Sequence, residues 1–417
     1  MKQQQVDVAI IGAGPSGTVA GALLRQQGIK VCVLERQHFP RFVIGESLLP
    51  QCMEFLAEAQ LLDAVVAQAD ALGFQYKNGA AFHHQGRFGK FDFREKFGDG
   101  PGTTYQVRRS VFDKLLADTA AEQGLDIRYA HSVLAVETAK DHNVLNIETD
   151  QGDPYQLHCR FLMDASGYGR VLPRLLDLEE PSEFPVRQSI FSHFRDNIAA
   201  DSGHDRDKIL VNVHPQNDEI WYWLIPFSDG HCSFGVVAEP HLLQQYDLTD
   251  LDQVLLDFLH QDAYLSKLMA NAEMVQPVRT IVGYSANVKS LHGDGFCLLG
   301  NAGEFLDPVF SSGVTIAMKS ASLAVPLVIR QLQGEAIDWQ QQYAEPLCVG
   351  IETFRTFVTG WYDGRLQDII FYPNPQIDVQ QRICAILAGY AWDQNNPVVQ
   401  QSERWLNKVA KVCRELY

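Results

Sequence analysis

Three glycines and an acidic residue near the N-terminus form a pattern that can hold a dinucleotide. Gly12-x-Gly14-x-x-Gly17 follows an apolar run at residues 6–11, and Glu35 lies 18 residues beyond Gly17. The glycines let the backbone approach a pyrophosphate at a helix N-terminus, and the acid can bind ribose hydroxyls. The motif does not distinguish NAD from FAD. The residues predicted to contact the nucleotide are Gly12, Ala13, Gly14, Pro15, Ser16, Gly17, Glu35 and Arg36.

A lysine and two tryptophans are the next candidates for chemistry. Lys77 ends a predicted strand in GFQYKNGAAF. A partly desolvated amine there can act as a nucleophile, whereas the plain alternative is a solvated lysine. Trp221 and Trp223 share one face of a predicted strand because side chains alternate along it. They can therefore line a binding site or simply fill the core.

The order of elements around these motifs predicts an α/β fold. An apolar strand, the glycine turn, a helix ending at Gly28 and a strand at 31–34 form one βαβ unit of a parallel sheet. A helix is predicted at 110–124, and alternating runs on both sides of Ser228-Asp229-Gly230 predict a β-hairpin. FCLLG at 296–300 predicts a buried strand that precedes a long helix at 313–332.

The chain shows no internal repeat and no flexible linker, so its regions are expected to interleave. Residues 1–185 and 275–334 are predicted to form the nucleotide-binding region. Residues 186–274 are predicted to form a β-rich substrate region, and 335–417 a mostly helical C-terminal region.

Three further segments resemble the flavin-contacting segments of class A FAD monooxygenases. They lie at 105–113, 163–167 and 299–303, and the loop at 40–47 is also similar. The resemblance implies FAD and a Rossmann-like, GR2-type FAD-binding fold with an interleaved antiparallel β-sheet. Asn301 stands where the family usually has Asp, which removes a charge but keeps a hydrogen-bonding oxygen. The additional FAD-contacting residues that it implies are Arg41, Ser47, Arg109, Asp164, Gly300, Asn301, Asp307, Gly313 and Val314.

Within this superfamily, residues 5–330 look like a flavin-dependent halogenase. Trp221-x-Trp223-x-Ile-Pro, the lysine segment around Lys77, and Phe305-x-x-Pro-x-x-Ser-x-Gly313 resemble three halogenase segments. The resemblance implies that Lys77 is the catalytic lysine and that the two tryptophans keep substrate away from the flavin. Because a long helix follows, we expect the backbone N–H groups around Ser312 and Gly313 to bind the halide.

The resemblance also implies partners and a substrate. FADH2 would come from a separate flavin reductase, since the sequence shows no second nucleotide fingerprint. Chloride or bromide would be oxidised to hypohalous acid, which reaches Lys77 and halogenates an electron-rich aromatic compound. The short C-terminal part resembles halogenases of phenolic, pyrrolic or carrier-protein-tethered substrates more than tryptophan halogenases.

Two other classes of function remain open. An FAD-dependent monooxygenase or oxidase/dehydrogenase of secondary metabolism, acting on an aromatic or polyene substrate, would need the same FAD segments without Lys77 or Trp221. A catalytically inactive flavoprotein, serving as a binding or redox-sensing module, is a third possibility.

Composition excludes several classes of partner. The 417 residues are 46% hydrophobic and carry a formal net charge of −17, which argues against nucleic acid or an anionic membrane as the main partner. The eight cysteines contain no C-x-x-C pair, so a reducing cytoplasm is expected. No membrane span is predicted. No metal site is predicted either, because the adjacent His83 and His84 point to opposite faces of a strand.

Overall fold

The computed structural model describes residues 2–416. The strands are β1 Lys2–Gln5, β2 Val8–Ile11, β3 Val31–Glu35, β4 Gln75–Lys77, β5 Gly79–His84, β6 Arg87–Asp92, β7 Thr104–Gln106, β8 Asp126–Tyr129, β9 His131–Glu137, β10 Asn143–Thr149, β11 Tyr155–Cys159, β12 Phe161–Asp164, β13 Glu179–Glu180, β14 Gln188–Arg195, β15 Lys208–His214, β16 Asn217–Pro226, β17 His231–Ala238, β18 Glu273–Met274, β19 Arg279–Val282, β20 Asn287–Val288, β21 His292–Gly293 and β22 Phe296–Leu298. The α-helices are α1 Pro15–Gln26, α2 Cys52–Glu58, α3 Leu62–Gln68, α4 Arg109–Glu122, α5 Val171–Leu175, α6 Pro240–Leu243, α7 Leu251–Gln261, α8 Ala263–Leu268, α9 Ser312–Leu332, α10 Glu345–Tyr362, α11 Arg365–Ile370, α12 Ile377–Leu387, α13 Pro397–Gln400 and α14 Ser402–Leu416.

A mostly parallel sheet carries the glycine turn. Its order is β21-β22-β12-β2-β3-β8, so β2 lies between β12 and β3. Val8 pairs in parallel register with Val31 on one side and Phe161 on the other. All four residues of β2 are buried, as expected for a strand covered on both faces. The βαβ unit predicted from the first 35 residues is confirmed.

A second sheet, in the order β1-β11-β10-β9, extends the nucleotide-binding region. Its first strand, KQQQ, pairs in parallel with Tyr155–His158 of β11. The sequence did not predict this strand, because it is polar and mostly exposed and so has no hydrophobic pattern.

An eight-stranded sheet forms the wall of the substrate side, in the order β18-β14-β17-β16-β15-β5-β6 with β19 beside β14. The predicted hairpin is its β16–β17 pair. Residues 79–92 and 279–282 also join this sheet, although they fall in the predicted nucleotide-binding region. The sheet is mixed, because β5 and β15 run parallel. Pairing between strands so far apart in the chain leaves no trace in the local alternation of side chains.

The two faces of this sheet pack against different cores. Trp221 and Trp223 face the main core, which continues into the nucleotide-binding region. Tyr222 and Leu224 point the other way, into a separate core shared with α7 and α8. The two tryptophans therefore look toward the glycine turn, as the alternation of side chains predicts.

The C-terminal helices are part of the main core. Trp361 of α10 and Leu406 of α14 belong to the same buried cluster as Val8 of β2. Within the described residues, α9 alone passes the length and composition test for a membrane-spanning helix, with a mean hydropathy of 1.5, yet 61% of that stretch is buried inside the fold. All eight cysteines are unpaired in the described part of the chain, and only Cys348 is more than marginally exposed.

Candidate active site

A cavity of about 390 Å³ runs from the glycine turn to the tryptophan face of the eight-stranded sheet. Its wall also includes the loop at 41–47, the turn at 165–169 and the start of α9. The sequence-predicted residues that line it are Gly12, Gly14, Pro15, Ser16, Glu35, Arg36, Arg41, Ser47, Arg109, Trp221, Trp223, Asn301, Gly313 and Val314. The predicted residues that lie behind its wall are Ala13, Gly17, Lys77, Asp164, Gly300, Asp307 and Ser312.

The glycine turn brings backbone close to the cavity for steric reasons. A Cβ on Gly12, whose φ is +98°, would lie 2.6 Å from the Ala165 carbonyl oxygen, and one on Gly17 would lie 1.9 Å from the Gly12 oxygen. Both positions therefore require glycine for strand–helix packing. Gly14 differs, because its Cβ would meet only an Arg41 side-chain nitrogen at 3.5 Å, so this glycine faces open space. The N–H groups of Ser16 and Gly17 in the first turn of α1 are free for a phosphate, since no side chain of the described residues caps them.

Glu35 ends β3 at the rim of the cavity. Its Oε2 accepts a hydrogen bond from the Ala13 N–H at 3.1 Å, and Arg41 Nε lies 3.8 Å away. A neighbouring cavity of about 260 Å³ is lined by Glu35, Arg36 and Val133. A carboxylate between two adjoining cavities suits the ribose of a dinucleotide.

A buried ion pair holds the loop at 41–47 over the cavity. Arg109 donates to both carboxylate oxygens of Asp113, at 2.7 and 3.0 Å, and to the Ile44 carbonyl at 3.2 Å. Arg41 Nη1 lies 3.4 Å from the same Asp113 carboxylate. Bidentate pairing fixes the guanidinium plane, so the loop position is well defined.

Lys77 is fully buried, and two acceptors hold its amine. Its Nζ donates to Ser47 Oγ and to the Leu48 carbonyl, each at 2.7 Å. Burial lowers the pKa of Lys77 to about 7, and the nearby Cys52 thiol opposes this shift. Because Ser47 lines the cavity, the amine lies one hydrogen bond behind its wall. The solvated strand-end lysine, the alternative left open by the sequence, does not describe this residue.

The two tryptophans have separate anchors. Trp223 Nε1 donates to Ser233 Oγ at 3.0 Å, and Gly235 leaves room for its ring, since a Cβ there would lie 2.3 Å from the indole. Trp221 Nε1 donates at 2.8 Å to the hydroxyl of Tyr362, which ends α10. Each indole therefore both fills core and lines the cavity.

Tyr362 connects the tryptophan face to the segment before α9. Its hydroxyl donates to Asp307 Oδ2 at 3.0 Å, and the Arg187 guanidinium carbon lies 3.4 Å from its ring centre. Burial raises the pKa of Asp307 to about 6, while Arg187 opposes the shift. Sequence reasoning missed Tyr362 and Arg187, because each lies far along the chain from the motifs it supports.

The start of α9 and the turn around Asn301 form another part of the cavity wall. Gly313 lines the cavity, whereas Ser312 is buried beneath it after Ser311, whose φ is +57°. The side-chain oxygen Oδ1 of Asn301 is buried and meets no partner within residues 2–416. Such an atom at a cavity wall suits a ligand that donates a hydrogen bond, such as a ribityl hydroxyl. The glycine turn, Glu35 and Asn301 together fit FAD.

Asp164 and Gly300 brace this region from behind. The Asp164 carboxylate accepts from the N–H groups of Ser166, at 2.8 Å, and Leu172, at 2.6 Å. The Gly300 N–H donates to Ser320 Oγ at 2.9 Å. Both residues therefore position the turns that line the cavity, and neither presents its own polar atoms to it.

Glu46 also lines the cavity, although the sequence motifs did not predict a role for it. Its side chain is 1% exposed, and Oε1 lies 2.8 Å from Nε2 of His193 on β14. The other oxygen, Oε2, is buried without a hydrogen-bond partner in the part of the chain that the structure describes. Nothing in the local sequence marked His193, although a His on a strand facing a candidate cavity is a usable signal once the sheet is known.

Comparisons with known proteins agree with this geometry. Residues 5–345 match the FAD binding domain family. A flavoprotein/dehydrogenase from Cytophaga hutchinsonii is 43% identical, with a TM-score of 0.93 and 99% of each chain covered. A flavin-dependent brominase of known structure is 25% identical, with a TM-score of 0.84, covering 99% of this chain and 100% of the other.

A curated relative points in the same direction. The 1H-pyrrole-2-carbonyl-[peptidyl-carrier protein] chlorinase of Pseudomonas fluorescens is 27% identical over 407 residues, which cover 91% of this chain and 89% of the relative. The match to the family spans most of the chain and includes the glycine turn and the start of α9. The chain therefore belongs to the FAD binding domain family, is similar to flavin-dependent halogenases and to a flavoprotein/dehydrogenase, and is an FAD-dependent oxidoreductase.

Proposed function

We propose that this enzyme halogenates an electron-rich aromatic substrate, using reduced FAD, O2 and chloride or bromide. The observation that carries the proposal is Lys77, a buried amine with a pKa of about 7 that lies one hydrogen bond behind the cavity wall. The neutral form of the amine is nucleophilic, and with this pKa about half of it is neutral at neutral pH, so it can capture an electrophilic halogen.

The residues divide the work as follows. FADH2 supplied by a separate flavin reductase would be held by the residues of the glycine turn, Glu35 and Asn301, and would supply the electrons that activate O2 for oxidation of the halide. The N–H groups around Ser312 and Gly313 hold the halide. Hypohalous acid then reaches Lys77, whose nitrogen forms a bond to the halogen while the halogen–oxygen bond breaks and water leaves. The indoles of Trp221 and Trp223 keep the aromatic substrate apart from the flavin.

The substrate is a small aromatic compound, free or tethered to a carrier protein. The carrier-tethered form is included because the similar Pseudomonas fluorescens enzyme is a chlorinase of a pyrrole on a peptidyl-carrier protein. A cytoplasmic location is part of the proposal, since an NAD(P)H-dependent flavin reductase would have to supply the reduced cofactor.

A second candidate is an FAD-dependent monooxygenase or oxidase/dehydrogenase. The observation in its favour is the 43% identity to a protein described as a flavoprotein/dehydrogenase. It would bind FAD through the same residues and would not need a nucleophilic Lys77.

A single-turnover reaction separates the candidates. Protein loaded with FADH2 is mixed with O2, bromide and phenol, and the products are identified by mass spectrometry. We expect bromophenol from the wild type and none from Lys77→Met. Lys208→Met is the matched control, because Lys208 is also buried, bonds to Asn78 and Asp205, and lies outside the cavity wall.

Each outcome leads to one conclusion. If Lys77→Met forms as much bromophenol as the wild type, Lys77 does not have the assigned role. Hydroxylated phenol under every halide would establish the monooxygenase, and oxidised substrate without oxygen insertion would establish the oxidase/dehydrogenase. Absence of any oxygen-dependent turnover would leave an inactive flavoprotein.

A further inference from the structure

We propose that Glu46, oriented by His193, is a general base that accepts the acidic O–H or N–H proton of the aromatic substrate. The inference rests on the proposed function and narrows its substrate class. It selects electron-rich rings that carry an ionisable O–H or N–H, such as phenols and pyrroles, over rings that are merely electron-rich.

The first argument is the state of the carboxylate. Glu46 lines the cavity, yet its Oε2 is buried without a partner in the described chain. A buried carboxylate oxygen left unpaired costs free energy, and folded proteins normally satisfy such atoms. A hydrogen-bond donor on a ligand in the cavity would satisfy this one.

The second argument is that the carboxylate is held in place. His193 Nε2 lies 2.8 Å from Oε1, and the imidazole is wedged between aromatic rings, with ring centres 5.5 Å from Phe227 and 6.4 Å from Phe42. The backbone carbonyl of Glu46 accepts from the Val107 N–H at 2.7 Å. A catalytic base needs this kind of support, because a small misplacement lowers the rate steeply.

The third argument is position. Glu46 precedes Ser47, whose hydroxyl accepts from Lys77, so the base and the proposed halogen carrier are attached to neighbouring residues of one loop. The charged groups around the loop include Arg109, which bonds to the carbonyls of Ile44 and Gly45, Arg41 within the loop, Arg279 over the Phe42 ring, and Lys77. The proposed base and the proposed halogen carrier are therefore held by the same short stretch of the cavity wall.

The step balances as follows. A ring carbon forms a bond to the halogen while the halogen–nitrogen or halogen–oxygen bond breaks, and that electron pair stays on nitrogen or oxygen. The ring loses two electrons and the halogen is reduced from the +1 to the −1 state. Positive charge spreads onto the ring O–H or N–H, and its proton passes to Glu46 Oε2. The ring C–H proton then leaves to water, the departing nitrogen or oxygen takes up a proton from water, and Glu46 returns its proton to the halogenated product.

The test compares pairs of substrates in which a methyl group replaces the O–H or N–H proton. Bromination of phenol is compared with that of anisole, and of pyrrole with N-methylpyrrole, in the presence of excess methionine to remove free hypobromous acid. Glu46→Gln should lower kcat/KM for phenol and pyrrole about 100-fold. The same variant should change the values for the two methylated compounds by less than about twofold.

Two controls separate a base from a structural residue. Glu54→Gln neutralises a partly buried carboxylate that accepts from Tyr390 at 3.1 Å outside the cavity wall, and should affect none of the substrates. His193→Gln keeps an N–H donor for Glu46 and should retain most of the phenol rate, whereas His193→Phe should not. An equal loss for phenol and anisole in Glu46→Gln, or no loss at all, would overturn the proposal.

Binding gives a readout that does not depend on turnover. By calorimetry on the FAD-loaded protein, the wild type should prefer phenol to anisole, and Glu46→Gln should lose this preference. If the wild type brominates neither compound, the proposed function fails, and calorimetry alone then decides the role of Glu46. Equal binding of phenol and anisole by the wild type would contradict that role.

Discussion

At the scale of single residues, the cavity concentrates groups that reduce stability. Lys77 is a fully buried amine, and Glu46 has a buried oxygen without a partner in the described residues. Core positions are ordinarily apolar, because burying an ionisable group carries a large desolvation cost. Such groups persist where they serve a function, so they are the first residues to test.

Lys77→Met should stabilise the protein at neutral pH. Burial lowers the pKa of Lys77 from 10.5 to about 7, so between these pH values the unfolded chain binds a proton that the folded chain has released. Folding is therefore penalised increasingly as the pH falls from 10.5 to about 7, and the penalty is absent above 10.5. After the loss of two hydrogen bonds, the expected gain at neutral pH is on the order of 1–3 kcal/mol.

Urea denaturation at neutral and at alkaline pH checks this expectation. The gain in the free energy of unfolding should shrink as the pH approaches 10.5. Lys208→Met should instead destabilise the protein, because it breaks a hydrogen-bonded pair with Asp205 at 2.8 Å. A Lys77→Met protein that is less stable than the wild type at both pH values would contradict the argument.

At the scale of elements, α10 connects the eight-stranded sheet on one side of the cavity to the segment before α9 on the other. Its last residue, Tyr362, accepts from Trp221 of β16 and donates to Asp307, which precedes α9. One hydroxyl thus ties the substrate sheet to the segment predicted to hold the halide. The C-terminal region contributes in this way to a cavity whose recognisable motifs all lie earlier in the chain.

Tyr362→Phe should remove both hydrogen bonds of this connection. The change leaves the Trp221 N–H and the Asp307 carboxylate each without one partner, which should cost about 1–3 kcal/mol. The affinity for FAD, measured by quenching of flavin fluorescence, should fall several-fold because the start of α9 lines the cavity. Tyr343→Phe loses a single buried hydrogen bond, to the Leu298 carbonyl at 2.5 Å, and serves as the comparison. Equal FAD affinity in Tyr362→Phe and the wild type would show that these two hydrogen bonds do not affect FAD binding.

Local signals account for what the sequence predicted. The βαβ unit follows from glycines, β-branched residues and one acid within 35 residues, and the W-x-W strand follows from simple alternation. The Glu46–His193 and Trp221–Tyr362 contacts join residues 147 and 141 positions apart. The periodicity of a sequence does not predict contacts over such separations. For the same reason it did not predict that β5 pairs with β15 in the eight-stranded sheet. The roles of the predicted catalytic and halide residues stay predictions.

At the scale of the whole molecule, one core crosses the predicted regional boundaries. Val8 of the central strand, Trp223 of the substrate sheet and Leu406 of α14 belong to a single buried cluster. Regions that share a core in this way cannot unfold independently without exposing apolar surface.

Unfolding should therefore occur in a single transition. Far-UV circular dichroism and intrinsic tryptophan fluorescence should give the same urea midpoint, because both the sheets and the C-terminal helices depend on this core. FAD at about 100 times its Kd should add roughly 2.7 kcal/mol to the free energy of unfolding. Two separated transitions would mean that the C-terminal helices form a unit of their own.

The unpaired cysteines have a consequence for the durability of the enzyme. A flavoenzyme that reacts with O2 is the nearest target of any oxidant that it releases. Burial raises the pKa of all eight thiols, to about 12 for Cys32 and Cys159 and about 11 even for the partly exposed Cys348. Because the thiolate is the form that reacts readily, the eight cysteines present almost no reactive thiolate at neutral pH. The fold thus limits oxidation of its cysteines by keeping the thiols protonated and buried.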